Sequence, residues 1–160
     1  MARALAPYRL MWLEEPVPPD SIEALARVRE VSPVPICAGE NVYTRFGLYD
    51  LIRRRAVDIV MPDLAKCGGV MEGVRIAGQA ELYSLPFAPH NVSGPVGTLA
   101  MAHVCAAIPS FLILEFHGLD VPYWVACLTQ AVIWPTRLSG GCAARWSGAR
   151  RWAATRARTS

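Results

Sequence analysis

The stretch Val57-Asp58-Ile59-Val60-Met61-Pro62-Asp63-Leu64-Ala65-Lys66 decides how the rest of the chain is read. Ile59-Val60-Met61 is a short apolar run of the kind that forms a buried strand. Pro62 has no N–H to donate and stops the ladder. Asp63 therefore falls just past the carboxyl end of a buried strand, where parallel α/β folds hold their chemistry. Lys66 follows within a helical turn.

Outward from this stretch the same unit repeats. On its N-terminal side, Leu10-Met11-Trp12-Leu13 reads as a strand ending at Glu14-Glu15-Pro16, with Val17-Pro18-Pro19 as a loop. Asp20 is expected to cap a helix over about 21–31, its inner face made of Ile22, Leu25, Ala26 and Val28. Ser32-Pro33 ends that helix. Val34-Pro35-Ile36-Cys37-Ala38 is a second strand delivering Gly39-Glu40-Asn41, and a helix is expected over about 44–54. On the C-terminal side, Gly68-Gly69 makes a turn before a helix over about 71–82. Leu85-Pro86-Phe87-Ala88-Pro89 delivers His90-Asn91, Gly94-Pro95 opens a helix to about residue 107, and Phe111-Leu112-Ile113-Leu114 delivers Glu115.

Strict alternation of strand and helix calls for a parallel sheet with right-handed crossovers. The ionisable residues that follow the strands are Glu14, Glu40, Asp63, His90 and Glu115, at spacings of 26, 23, 27 and 25. Steps of nearly constant length suit a (β/α) barrel better than a doubly wound sheet. The fold is thus expected to be α/β, a partial TIM-type barrel of about five βα units. Such a barrel closes with eight strands, so the front portion is expected to lie upstream of Met1.

Composition supports a packed chain. Of 160 residues, 53% are hydrophobic, above the usual 45–50% or so, which argues against disorder. No apolar run approaches the roughly 18 residues of a membrane span. Glu14 and Glu15 interrupt any signal-peptide core, which makes a cytoplasmic location the default expectation. The five cysteines (Cys37, Cys67, Cys105, Cys127 and Cys142) are odd in number and lack metal-ligand spacing, so reduced thiols are expected. The net charge is +3, yet residues 1–120 hold 10 basic against 13 acidic side chains, while residues 121–160 hold six Arg and no acid. Nucleic-acid binding is therefore not read into the body of the chain. The division expected is a barrel portion over residues 1–124 and an irregular basic tail over 125–160. The tail, with its Ala, Arg, Trp and Gly and no periodicity, reads either as an out-of-register translation or as a genuine basic segment, with little order in both cases.

The strand-end residues suggest a chemistry. Glu14 and Glu40, on adjacent strands, are two hard carboxylates of the kind Mg2+ prefers; the ordinary alternative is a pair of solvated loop acids. Asp63 and His90 are likewise neighbours, and a carboxylate beside an imidazole fixes its tautomer for proton transfer. The ordinary alternative for His90 is a buried structural histidine. Glu115 can bind a substrate oxygen or form a rim salt bridge. Lys66, the sole lysine, either neutralises substrate and nearby carboxylates or is solvated. His103, within a helix, and His117, in a loop, have no assigned role.

Five motifs in order then carry a resemblance: Trp12-Leu13-Glu14-Glu15-Pro16, Ala38-Gly39-Glu40-Asn41, Met61-Pro62-Asp63 with Lys66-Cys67-Gly68-Gly69, Pro89-His90-Asn91, and Leu114-Glu115. Over roughly residues 5–124 the chain resembles the mandelate racemase branch of the enolase superfamily. The resemblance implies that Glu14 and Glu40 are two of three Mg2+ ligands, Asp63 and His90 an Asp–His dyad, and Glu115 the acid that binds the reacting carboxylate. It implies abstraction of a proton alpha to a carboxylate, with Mg2+ stabilising the charge that develops. Asp63 stands where the muconate-cycloisomerase branch carries a Lys base, which disfavours that chemistry. Pro89-His90-Asn91-Val92-Ser93-Gly94-Pro95 resembles galactonate-type dehydratases, implying dehydration of a sugar acid to a 2-keto-3-deoxy acid. The alternatives are a racemase or epimerase of a 2-hydroxy acid, and a catalytically inactive truncated fragment. The partners implied are a small carboxylate substrate and copies of the parent enzyme in a homo-oligomer, with no nucleic acid and no membrane. The sequence departs from the family in lacking a Lys-x-Lys motif, the Asp ligand of the preceding strand and the N-terminal capping domain, all expected upstream.

Overall fold

The computed structural model describes residues 2–116, 118 and 121–124. The tail assigned to residues 125–160, and His117, lie outside them. The elements run in the order α1 (Ala2–Leu5), a 3-10 turn (Ala6–Tyr8), β1 (Leu13–Glu14), α2 (Ile22–Val31), β2 (Ile36–Ala38), α3 (Thr44–Arg53), β3 (Ile59–Val60), α4 (Leu64–Cys67), α5 (Val70–Leu82), α6 (Pro95–Ala107) and α7 (Val121–Trp124).

The sheet is parallel, in the order β1-β2-β3, with Leu13 opposite Ile36 and Cys37 opposite Ile59. Beyond β3 the ladder continues through single residues: Val60 bridges Phe87, and Phe87 bridges Phe111, both in parallel. Its hydrogen bonds include Val60 N–H to the Pro86 carbonyl at 2.9 Å and Phe87 N–H to the Ser110 carbonyl at 2.8 Å. The two segments expected as fourth and fifth strands are thus in place as bridging residues rather than strands. Pro86 and Pro89 explain this for the fourth, because neither has an N–H to extend a ladder.

Period-two alternation explains why the strand segments are apolar throughout. Ile36, Ala38, Val60 and Phe87 pack with Leu25, Leu48, Leu51, Ile52, Ile76 and Ala80 beneath the helices α2, α3 and α5. The intervening Cys37, Ile59, Met61 and Ala88 pack with Ile113 on the opposite face, against Trp12 and Leu112. A sheet covered on both faces is the arrangement of α/β folds. A third cluster joins Leu64 and Leu114 to Met101, Ala102, Val104 and Cys105 of α6.

Helix α2 is capped by Ser21, whose Oγ accepts from Ala24 N–H at 3.3 Å, and not by Asp20. The cap is one residue later than expected because Ser21 is the last residue outside the helical turn. Lys66 lies in α4, a short helix; Asp63 caps it by accepting from Ala65 N–H at 2.8 Å. Gly68 ends α4 at φ 118°, a conformation that favours glycine.

Candidate active site

Apart from Lys66, which is carried on α4, the candidate residues lie at the carboxyl ends of the strands and bridging segments. Gly39 terminates β2 at φ 135°, and a Cβ there would stand 3.2 Å from the backbone of Met61. Glycine thus lets the ends of β2 and β3 approach closely, bringing Glu40 toward Asp63. Asp63 and His90 form a parallel bridge through their backbones, so their side chains emerge side by side.

Between them, His90 Nδ1 lies 2.9 Å from Asp63 Oδ2. Asp63 is buried, at 4% exposure. An ionised carboxylate only accepts, so Nδ1 carries the proton and Nε2 is left to face outward. Nε2 lies 3.0 Å from Glu40 Oε2 and 3.7 Å from Glu115 Oε2. A 3.0 Å contact between this nitrogen and a carboxylate oxygen requires one proton between them. Lys66 Nζ stands 3.8 Å from Glu40 Oε1, 3.9 Å from Asp63 Oδ2 and 3.4 Å from Asn41 Oδ1. Five of the six residues singled out from the sequence therefore share one connected group.

Glu14 stands apart. It is exposed, and its Oε2 accepts from the Trp12 indole N–H at 3.0 Å. Its nearness to the same strand ends shows in Cys37. Burial, and then the carboxylates of Glu14, Glu15 and Glu40, push that thiol well above its usual range. Burial likewise pushes Cys67 up to about 11, so these are packing residues rather than nucleophiles.

Four participants escaped the sequence reading. Glu15 accepts from Asn41 Nδ2 at 2.7 Å and from Gly39 N–H at 3.4 Å. Asn41 also reaches Glu40 Oε1 at 3.2 Å, which makes it a brace between the first two strand ends. Asn91 donates its backbone N–H to Glu115 Oε2 at 2.8 Å, and its side chain meets Thr98. The signal was available for the two asparagines, since each directly follows a strand-end ionisable residue. Nothing in the sequence singled out Thr98, which lies in a helix.

As a donor set for Mg2+, the chemistry is suitable and the number is short. Carboxylate oxygens are what this ion prefers, with water or substrate filling the remaining positions. Among the described residues, no three His, Cys, Asp or Glu side chains are grouped so as to hold a metal.

The comparison that decides the family is with the model of the enolase C-terminal domain-like family, which matches residues 1–146. The chain belongs to that family. Among relatives of this enolase-type chain, the D-xylonate dehydratase of Haloferax volcanii is 45% identical over 124 residues, covering 78% of this chain and 30% of that protein. The D-galactonate dehydratase of Ralstonia nicotianae is 38% identical over 104 residues, covering 65% of this chain and 27% of that one. A solved structure of a mandelate racemase/muconate lactonizing enzyme-like protein from Rubrobacter xylanophilus superposes with a TM-score of 0.74 at 62% identity, over 77% of this chain and 31% of that one. The chain spans less than a third of the length of each. Among the described residues, no helix is long and apolar enough to cross a membrane.

Proposed function

We propose that this chain carries the proton-transfer part of a Mg2+-dependent sugar-acid dehydratase. The observation that supports this best is the His90–Asp63 contact at the ends of neighbouring strands, with Glu40, Glu115 and Lys66 around it. The relatives named as dehydratases of D-xylonate and D-galactonate point to the substrate class.

In this reading His90 Nε2 takes the proton from the carbon next to the substrate carboxylate, and Asp63 keeps the imidazole in the tautomer that can accept it. The same nitrogen then returns the proton to the hydroxyl leaving the adjacent carbon as water. The enol so formed tautomerises to a 2-keto-3-deoxy acid. Glu115, as the neutral acid, donates its proton in a hydrogen bond to the reacting carboxylate, and Lys66 offsets the charge gathered by Glu40, Asp63 and the substrate. Glu14 and Glu40 are the residues that would hold Mg2+, which supplies electrostatic stabilisation of the charge developing on the substrate carboxylate. Glu40 must leave Nε2, and the proton between them must leave with it, for His90 to act as the base.

The test is proton exchange at the alpha carbon in D2O, followed by NMR across a panel of sugar acids with the purified chain. Mg2+-dependent exchange that vanishes in His90→Asn, accompanied by a 2-keto-3-deoxy product, supports the proposal. Inverted 2-hydroxy acid with no keto product replaces dehydration by racemisation. A second reading, that the isolated chain is inert, is favoured by Glu14, which is exposed and bonded to the Trp12 indole rather than grouped with Glu40. It predicts weak Mg2+ binding and no exchange with any acid in the panel.

A further inference from the structure

A buried polar pair beside His90 is not used by the proton chemistry. Asn91 and Thr98 are each 1% exposed. The Asn91 backbone N–H donates to Glu115 Oε2 at 2.8 Å, while its side-chain Nδ2 donates to the backbone carbonyl of Glu115 at 3.1 Å. Nδ2 also meets Thr98 Oγ1 at 3.1 Å. A carbonyl can only accept, so the nitrogen of the Asn91 amide must face Glu115, which fixes the amide's orientation. Its two N–H groups are then both in use. The Thr98 hydroxyl has one proton, and the Ser93 carbonyl at 3.1 Å is a nearer acceptor than Asn91 Oδ1 at 3.3 Å. That leaves a hydroxyl lone pair for Asn91, so the network closes.

We propose that Asn91 and Thr98 form a positioning clip that holds the Glu115 carboxylate against His90. The proposal rests on the reading of His90 and Glu115 as the reacting pair. One residue grips Glu115 twice, by backbone on its carboxylate and by side chain on its backbone. Because His90 is the preceding residue, the 3.7 Å gap from Nε2 to Glu115 is set over a single peptide link. The Glu115 side chain is 34% exposed and has solvent-facing rotamers to adopt; the hydrogen bond from the Asn91 backbone selects against them. Thr98 anchors the clip, since it stands in the first turn of α6, whose Met101, Ala102 and Cys105 are buried in the core.

The Asn91 backbone amide resonance in the full chain reads this contact without reference to activity. Glu115→Gln should move that resonance in the wild-type background. In Thr98→Val, which keeps the shape and removes the hydroxyl, the same change should move it little, because the carboxylate has already been released. Thr98→Ser should restore the wild-type response. A wild-type-sized response in folded Thr98→Val overturns the clip. Should Thr98→Val not fold, the unmodified chain decides: a scalar coupling across the hydrogen bond from Asn91 nitrogen to Glu115 Cδ is expected, and its absence overturns the proposal. A chain with the coupling but no alpha-proton exchange keeps the clip and loses the dehydratase reading, so the two failures are distinguishable.

Discussion

Two aspartates bracket β3 and do different work. Asp58, before the strand, accepts from Ile36 N–H at 2.9 Å and pairs with Arg29 at 2.8 Å. Asp63, just beyond it, caps α4 and holds His90. Each oxygen of each carboxylate has a partner, so neither is idle. What differs is the partner's chemistry. A guanidinium is a fixed donor that can only bind, whereas an imidazole can exchange a proton. The Asp58–Arg29 side chains are each about one-third exposed, and those of Asp63 and His90 are 6% and 13% exposed. One strand thus carries a stabilising acid at its amino end and a candidate functional acid at its carboxyl end, the division of labour of (β/α) barrels. An open groove of about 390 Å³ also lies at the amino ends, between Ser84, Pro86, Pro109 and Ser110, and among the described residues Glu81 is the one ionisable side chain that lines it.

The largest effect expected is at the carboxyl end. His90→Asn removes the group proposed to move the proton, and alpha-proton exchange should fall by about 10²–10⁴-fold, the range for loss of a general base. Exchange rates in D2O measure it. An unchanged rate would erase the distinction between the two ends. Next comes Asp63→Asn. Asparagine caps a helix about as well as aspartate, so α4 should survive and melting should change little. Its amide can no longer fix the imidazole tautomer as a carboxylate does, and exchange should drop about 10–100-fold, as when the partner that orients a histidine is lost. A fall in melting temperature without a fall in exchange would make Asp63 a second Asp58.

How much of this was readable beforehand depended on the kind of signal. The four long helices follow from apolar periodicity and start or end within one residue of where Leu25, Leu48, Ile76 and their neighbours put them. Strand order and direction follow from the alternation of elements. Strand extent did not, because Pro86 and Pro89 interrupt the ladder without disturbing the apolar pattern. For the site, residues at strand ends were visible by position, and His90, Asp63, Glu40, Lys66 and Glu115 do meet. The braces were given no role: the asparagines' place beside strand-end ionisable residues was legible, their partners were not. Asn41 and Asn91 work through amide geometry, and Thr98 comes into play only when α6 folds back onto the strand ends. Hydrogen bonds between segments distant in sequence leave no periodic trace.

At the amino end the expected effects pass from rate to stability. Asp58→Ala strands the N–H of Ile36, a fully buried residue, and an unpaired buried donor costs about 1–3 kcal/mol. Chemical denaturation should show that loss, while exchange per folded molecule stays at the wild-type level. Asp58→Asn, which keeps an acceptor for Ile36, should recover most of the stability. A loss of exchange in Asp58→Asn would mean that the two ends of β3 are coupled and the contrast between them is false.

The smallest effect isolates what capping alone is worth. Ser21 and Asp63 both accept a backbone N–H at the start of a helix, Ser21 from Ala24 and Asp63 from Ala65. Only Asp63 has a second oxygen committed to an imidazole. Ser21→Ala should therefore cost about 1 kcal/mol or less, toward the low end for a cap because the 3.3 Å contact is long. It should leave exchange untouched, since α2 packs through Leu25 on the helix side of the sheet, away from His90. The comparison with Asp63→Asn is then direct. If both variants lower only stability, Asp63 is a cap that happens to lie near a histidine. If Ser21→Ala lowers stability alone and Asp63→Asn lowers exchange alone, the oxygen facing His90 carries the function, and the oxygen facing Ala65 serves to aim it.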